Sequence, residues 1–337
     1  MRRHSLISLL VILINLSFLF SCATKKKISK KDLLPKPAWL VERPVNHGYF
    51  YGIGAAKKVG GHDYYKDKSK ERALAEIAAQ INTQIQSTST LYQMEDNHGV
   101  TEYLQNRIKA TSNEFLEGYE FINTYEDEDN YYSFFRLSKS VFYERKEQRK
   151  NDALSTATTK YITAKEFDAG DNTSKALIYY AEVLEVLTPY LGQNTLVKLE
   201  DRSVDLVSES KNAISRIVKN ITLSSFTHNF SAQPSENIPE GAVMLTVQNK
   251  AGVALENIPV RFAYSNGYLV VDKQLSNASG EIKTPAFTTS AGSNESTLTG
   301  SIDILSLSRK TTKNLFVRKL IEKEKGEKIV IKVTIDR

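Results

Sequence analysis

Histidines and carboxylates are the first residues of this chain that could do chemistry, by holding a metal ion. The five histidines are His4, His47, His62, His98 and His228. No two of them have zinc-ligand spacing, and His62 with Asp63 is the closest approach to a ligand pair. The acidic run 126–129 could hold calcium, but its spacing is not that of an EF-hand and a solvated turn explains it more simply. We predict no metal, no cofactor and no catalytic residue; no G-x-S-x-G motif appears either, and we expect that the chain is not an enzyme.

Gly52 and Gly54 follow an aromatic β-like run and precede a helix-forming stretch, an order that also begins nucleotide-binding loops. A dinucleotide fingerprint needs a third glycine at position 57, where this chain has Lys57. The polar stretch 57–68 would also separate the glycines from the helix, and no P-loop triplet follows. We therefore predict a tight turn that brings strand and helix together, with Gly54 where a side chain would not fit.

Cys22 is the only cysteine among the 337 residues, and it ends a signal-peptide pattern. The apolar stretch 7–20 is shorter than a membrane-spanning helix. Ser21 directly before the cysteine and Leu19 three residues before it resemble a bacterial lipobox, whose cysteine takes a diacylglycerol and becomes the acylated N-terminus. The alternative is an ordinary secretory signal with a chance cysteine, but lipidation explains why an exported chain carries a single thiol.

The region around Cys22 therefore predicts where the protein is found. Residues 1–21 form a lipoprotein signal peptide and residues 22–35 a basic tether, with the lipid bilayer as partner through acylated, palmitate-bearing Cys22. Ala23 stands where an inner-membrane retention signal has Asp, and the tether lacks an acidic surface-export cluster. We expect an outer-membrane protein that faces the periplasm. The net charge of +6 is too weak and dispersed to predict a nucleic-acid partner.

Residues 36–138 predict an α+β domain with helices on a small antiparallel sheet. An amphipathic helix over 69–87 has apolar residues at steps of three and four. The other predicted elements are a strand at 48–55, a weaker helix at 101–114 and two hairpin strands at 119–125 and 131–137.

Three motifs in this domain carry a family resemblance: Pro37-Ala-Trp39, the run YGIGAA at 51–56, and the alanine-rich helix KERALAEIA at 70–78. In this order, behind a lipobox, they resemble the LPP-twenty lipoprotein family, named for a Helicobacter outer-membrane lipoprotein. The resemblance does not extend to the C-terminal half. It implies a non-enzymatic envelope role and a helix-on-sheet fold similar to the N-terminal domain of a flagellar assembly protein.

Residues 139–220 are almost free of glycine and predict a helical spacer. A helix, a turn at Gly170 and a second helix resemble one tetratricopeptide hairpin, without a second copy at the repeat period. Small residues would let the two helices approach closely: Ala164, Ala176 and Ala181. A further amphipathic helix is predicted over 196–218, where packing against neighbours is favoured over a partner groove.

Residues 221–337 predict an all-β, immunoglobulin-like sandwich that resembles domains of bacterial adhesins and surface proteins. Gly280 suits a turn with positive φ. A long loop is expected at 231–241, and a final strand over 328–335 has one apolar face. The apolar residues of an inner strand alternate with polar or small ones: Val260, Phe262 and Tyr264.

Two functions from different classes fit these features. The first is a non-catalytic outer-membrane lipoprotein that acts as a scaffold or docking module for an envelope protein partner. The alternative is a module that binds peptidoglycan or another glycan, because four tyrosines could form an aromatic surface, although sheet packing explains them more simply. The four are Tyr49, Tyr51, Tyr131 and Tyr132.

Overall fold

The computed structural model describes residues 35–88, 102–104, 106–107, 116–292 and 294–336. The helices are α1 (Ala38–Val41), α2 (His62–Thr88), α3 (Lys139–Ala169), α4 (Thr173–Leu187), α5 (Leu206–Lys219), α6 (Ile304–Thr311) and α7 (Leu315–Glu322). The first strands are β1 (Tyr49–Lys57), β2 (Glu120–Glu126), β3 (Asn130–Ser138), β4 (Leu196–Leu199), β5 (Arg202–Asp205), β6 (Ile221–Ser224), β7 (Asn229–Ala232) and β8 (Asn237–Ile238). The others are β9 (Met244–Asn249), β10 (Pro259–Tyr264), β11 (Gly267–Leu269), β12 (Lys273–Leu275), β13 (Glu281–Lys283), β14 (Phe287–Thr289), β15 (Glu295–Ile302) and β16 (Lys328–Ile335).

The chain is mixed α+β, and its contacts divide it into two compact units. The first unit comprises Met1–His47, Tyr51–Glu76 and Glu120–Arg136, as far as these ranges are described. The second comprises Gly48–Phe50, Ile77–Tyr119 and Leu137–Arg337, again as far as these ranges are described.

The first unit is built on a three-stranded sheet in the order β1–β3–β2. The predicted hairpin is confirmed, with antiparallel β2 and β3 joined by the acidic turn and a register shift between Phe121 and Asn123. The predicted helix is also present, but it begins at His62, so most of the expected polar loop is its first two turns. Gly60 and Gly61 have φ of +88° and +97° and turn the chain into the helix.

The second unit contains the predicted helical hairpin of α3 and α4, which confirms the turn at Gly170. The N-terminus of α4 is capped by Asn172, whose side chain accepts from the N–H of Lys175 at 3.3 Å. The three alanines chosen from the sequence are fully buried: Ala164, Ala176 and Ala181. Of the weaker helix predicted at 101–114, residues 102–104 and 106–107 are helical and the remainder lies outside the described residues.

The predicted helix over 196–218 is wrong in its first half. Strands β4 and β5 form an antiparallel hairpin there, with Glu200 at the turn in a left-handed conformation (φ +53°). The helix starts at Leu206, because the carboxylate of Asp205 accepts from the N–H groups of Val207 and Ser208 and caps it.

The C-terminal region is β-rich, as predicted, but not all-β, because α6 and α7 lie between β15 and β16. Its largest sheet has the order β12–β10–β15–β16–β7, beside three-stranded sheets β11–β14–β8 and β13–β9–β6. The final strand and the alternation of β10 are confirmed, and Gly280 has φ of +73°. The expected long loop at 231–241 instead contains the end of β7 and all of β8.

The helical region is not a separate spacer. Buried residues of α3, α4 and α5 join those of the β-rich region in a single hydrophobic cluster. Polar contacts cross the same boundary: Asn314 Nδ2 donates to Thr188 Oγ1 at 2.9 Å, and Ser215 Oγ donates to Glu324 Oε1 at 2.6 Å. The second unit therefore has one core to which helices and strands both contribute.

Candidate functional site

The predicted lipidation site, Cys22, lies outside the described residues, as do the signal peptide and nearly all of the tether. The first described residue is Pro35, and α1 follows three residues later, at Ala38. Among the described residues, no helix combines the length and the apolar character needed to cross a membrane.

The suggested ligand pair of His62 and Asp63 lies in the first turn of α2. His62 Nδ1 is 3.6 Å from Asp63 Oδ1, and both side chains are exposed. The imidazole packs instead against aromatic rings, with its centroid 5.3 Å from that of Tyr65 and 6.0 Å from that of Tyr131. No group of three or more His, Cys, Asp or Glu that could hold a metal occurs in the described part of the chain.

The acidic turn between β2 and β3 is stabilised by hydrogen bonds to one of its carboxylates. Asp127 Oδ1 accepts from the N–H groups of Asp129 and Asn130 at 3.0 and 2.7 Å, and Oδ2 accepts from the Tyr132 hydroxyl at 3.1 Å. Burial acts to raise the pKa of Asp127, but these donors prevail and lower it. Lys58 Nζ donates to the Asp127 carbonyl at 2.8 Å. The contacts of Asp127 therefore serve to hold the turn and to join it to the residue that follows β1.

The glycine pair lies inside strand β1 and not in a turn, which corrects the sequence interpretation. The close approach predicted for Gly54 is confirmed: a Cβ built there would lie 1.8 Å from the Ser69 carbonyl oxygen and 2.5 Å from the Ala73 nitrogen. Ser69 Oγ donates to the Gly54 carbonyl at 2.9 Å and lies 2.8 Å from Ser133 Oγ. The missing side chain at Gly54 thus makes room for the helix backbone.

The four tyrosines do not form one aromatic surface. Tyr131 and Tyr132 are consecutive in β3 and so point to opposite faces of the sheet. Tyr131 is buried against Tyr65, with ring centroids 5.6 Å apart, whereas the Tyr51 ring packs on Phe134 at 5.7 Å. Sheet packing accounts for these contacts.

A small pocket in the second unit lies where α4, α6 and the loop before β10 meet. Its volume is about 200 Å³, and its floor consists of the buried side chains of Leu177, Ile258 and Leu307. Lys175 and Lys310 stand at its rim. An apolar floor with a few polar groups at the edge is the usual composition of a binding pocket.

A larger, open groove of about 520 Å³ runs along the surface of α3 and α4 in the same unit. It is lined by Ser155, Thr156, Thr159, Lys160, Thr163 and Tyr179. These residues were not among those predicted from the sequence. The signal was present, since threonines at 156, 159 and 163 recur at helical spacing on one face.

A comparison with protein families supports the resemblance found in the first domain. Residues 37–138 match the family model described as LPP20 lipoprotein, which is the LPP-twenty family. The match covers less than half of the chain, and it points to a lipoprotein of the cell envelope. No curated protein matches the chain.

Three solved structures are similar in part. WR4, a C. elegans MSP family member, is 10% identical over 35% of this chain and 98% of its own, with a TM-score of 0.23. The D00-D0 domain of intimin is 20% identical over 24% of this chain and 38% of its own, with a TM-score of 0.18. The secreted protein HP1454 from Helicobacter pylori is 16% identical over 57% of this chain and 67% of its own, with a TM-score of 0.25. TM-scores this low carry no conclusion about fold or function.

Proposed function

We propose that the protein is a non-catalytic lipoprotein held in the outer membrane by acyl chains on Cys22, where it faces the periplasm and serves as a docking module for an envelope protein. The observation that carries the proposal is the LPP20 lipoprotein match at residues 37–138, close behind a lipobox with the lone cysteine of the chain. Two or more acyl chains hold a protein firmly at a bilayer, whereas one is marginal.

The anchor is tested with a Cys22→Ala variant exported by the cleavable signal peptide of a soluble periplasmic protein. This replacement prevents an uncleaved signal segment from acting as an anchor of its own. We expect the variant to leave the membrane pellet after a high-salt wash. Its matched control keeps Cys22 and the native signal but carries Lys25→Gln, Lys26→Gln and Lys27→Gln, and it should stay in the pellet. If the cysteine variant still sediments with membranes, the anchor proposal fails.

The pocket between α4 and α6 supports the docking part of the proposal. Its size suits one branched apolar side chain, and buried apolar anchors of this kind dominate protein interfaces. Two lysines, Lys175 and Lys310, outnumber the one carboxylate at the rim, Glu256. We therefore propose a partner segment in which an acidic residue adjoins the apolar anchor.

A photo-crosslinking amino acid at Ile178, on the wall of this pocket, tests the docking site in intact cells. The matched control places it at Ile162, a similarly exposed position on α3 outside the pocket. We expect a discrete adduct from position 178 only, with the crosslinked partner residue next to an acidic one by mass spectrometry. Equal adducts from both positions would contradict the assignment.

We propose, more finely, that the C-terminal region is an immunoglobulin-like module that supplies the α6 side of this docking surface, whereas α4 supplies the other side. The arrangement of its sheets supports that finer proposal, because a Cβ built at Gly300 in β15 would lie 2.8 Å from Leu245 Cδ1 in β9. The five-stranded sheet and the β13–β9–β6 sheet therefore pack face to face, as in a sandwich.

We also propose, as a second function, the binding of peptidoglycan or another glycan. The specific observation in its favour is the open groove on α3 and α4, whose lining combines hydroxyl groups, an aromatic ring and a lysine. Such a lining can exchange hydrogen bonds with sugar hydroxyls, and the edge of the aromatic ring adds an apolar contact.

A further inference from the structure

The threonines of the α3–α4 groove present their oxygens as hydrogen-bond acceptors. Thr156 Oγ1 donates to the Asp152 carbonyl at 3.0 Å, and Thr163 Oγ1 donates to the Thr159 carbonyl at 3.1 Å. Thr159 Oγ1 donates in the same way to the Ser155 carbonyl at 3.3 Å. A hydroxyl has one proton and two lone pairs, so each threonine keeps acceptor capacity after its proton is used within the helix.

Donors and an apolar surface lie beside this acceptor row. Lys160 Nζ donates to Glu182 Oε2 at 2.6 Å, with about a third of each side chain exposed. The lysine charge is thus balanced within α3 and α4, and the ammonium group has further N–H groups with which to meet new acceptors. The Tyr179 ring lines the groove; it is stacked on Phe167, with centroids 5.4 Å apart, and Lys160 Nζ lies over it, 6.0 Å from its centroid. The edge of the ring is therefore the part that a ligand can contact.

We propose that this groove binds an uncharged oligosaccharide of two or three sugar rings. Sugar hydroxyls donate to the threonine oxygens and accept from Lys160, and sugar C–H groups contact the edge of the Tyr179 ring. A strongly anionic ligand is disfavoured because Lys160 is already paired with Glu182. The groove is open to solvent and has a volume of about 520 Å³, so a bound sugar would keep part of its surface in water. This inference rests on the second proposed function and is independent of the Cys22 anchor.

The test is a calorimetric titration of the mature chain, 22–337 with Cys22→Ser, with N,N′,N″-triacetylchitotriose and with cellotriose, both of which are uncharged. We expect saturable binding of at least one of the two sugars. The double variant Thr159→Val and Thr163→Val keeps the side-chain shape but removes two acceptor oxygens, and it should bind about tenfold more weakly. The control is Thr158→Val, which removes a hydroxyl bonded to the Leu154 carbonyl on the same helix but outside the groove. It should bind as the unmutated chain does.

Three outcomes would overturn the inference. The first is a folded chain, by circular dichroism, that binds neither sugar. The second is a double variant with undiminished affinity, which would move glycan binding away from the groove but leave the second proposed function standing. The third is an equal loss in Thr158→Val. Because the titration uses unlipidated protein, none of these results bears on the anchor.

Discussion

In the first unit, helix α2 approaches strand β1 closely at a single residue, Gly54. Gly54 has no unusual backbone conformation. A glycine is needed there because it leaves space for the helix backbone at Ser69 and Ala73. Any side chain there meets backbone atoms, which cannot rotate away as a flexible side chain can.

We predict that Gly54→Ala lowers the free energy of unfolding by about 1–3 kcal/mol, because the helix must shift to admit the methyl group. Urea unfolding is followed by the fluorescence of Trp39, the single tryptophan, which stacks on Phe134 in the same unit. The control Gly292→Ala lies in the second unit and is therefore followed by circular dichroism; it should change stability by less than about 0.5 kcal/mol, since its nearest neighbour, Ser290 Oγ, is 3.8 Å away. Equal effects of the two substitutions would refute the close approach.

The sequence predicts that Gly54 is crowded, but it does not predict that the glycine lies inside a strand and leaves space for a helix. A strand followed by an amphipathic helix with Ala73 on its apolar face already implies packing of the two elements. Sequence alone does not separate a glycine chosen for a turn from one chosen for space, and the turn is formed instead by Gly60 and Gly61. The groove threonines were missed because exposed hydroxyls carry no periodic apolar signal.

One buried carboxylate joins three elements of the C-terminal region. Asp303 caps α6 by accepting from the Ser306 N–H at 3.0 Å and the Ser306 hydroxyl at 2.7 Å. It also pairs with Arg261 of β10 at 3.3 Å and Lys273 of β12 at 3.4 Å. Burial acts to raise the pKa of Asp303, but the hydrogen bonds and the positive charges outweigh it and lower the pKa to about 2.

We predict that Asp303 stabilises the protein above its ordinary pKa of 3.8 and that this contribution is lost as the pH falls towards 2. The sign follows because the folded pKa is below the unfolded one, so the unfolded chain binds the proton first. Asp303→Asn should therefore be less stable than the unmutated chain at pH 7, with a smaller difference at about pH 3, by urea midpoints. Asp272→Asn, which alters an exposed carboxylate 3.6 Å from Arg261, should show little change. A constant difference at both pH values would contradict the prediction.

Strands with long alternation were predicted well, and short elements were not. The alternating strand over 328–335 agrees with β16 because one face is buried along most of its length. The four-residue strands β4 and β5 were missed because their residues also fit a helical pattern. The short helices α6 and α7 were not predicted, because they lie in a region otherwise typical of strands. Their capping residues, Asp303 and Asn314, were the signals in the sequence that indicated them.

Because the second unit has a single core, its helices are not the separate spacer that was expected from the sequence. Thr188 and Asn314 are buried together at the junction of the helices and the β-rich region, and Thr312 Oγ1 donates to Glu185 Oε1 across the same junction. Domain boundaries predicted from composition cannot show that two regions share a core, because the contacts involved are distant in sequence.

We predict that residues 137–337 unfold in one cooperative urea transition by circular dichroism. A fragment of 221–337 alone should lack a sharp transition and bind a hydrophobic dye, because it exposes side chains that α4 and α5 cover. The full mature chain serves as the folded reference. A sharp transition in the shorter fragment would show that the helices are dispensable for its folding.

The acyl anchor at Cys22 determines where the protein acts, and mass spectrometry of the protein purified from membranes of its own host can detect it. We predict that the mature chain begins at Cys22 and that its N-terminal peptide carries the mass of a diacylglycerol and a further acyl chain. A chain that begins at another residue, or a Cys22 with a free thiol, would contradict the account.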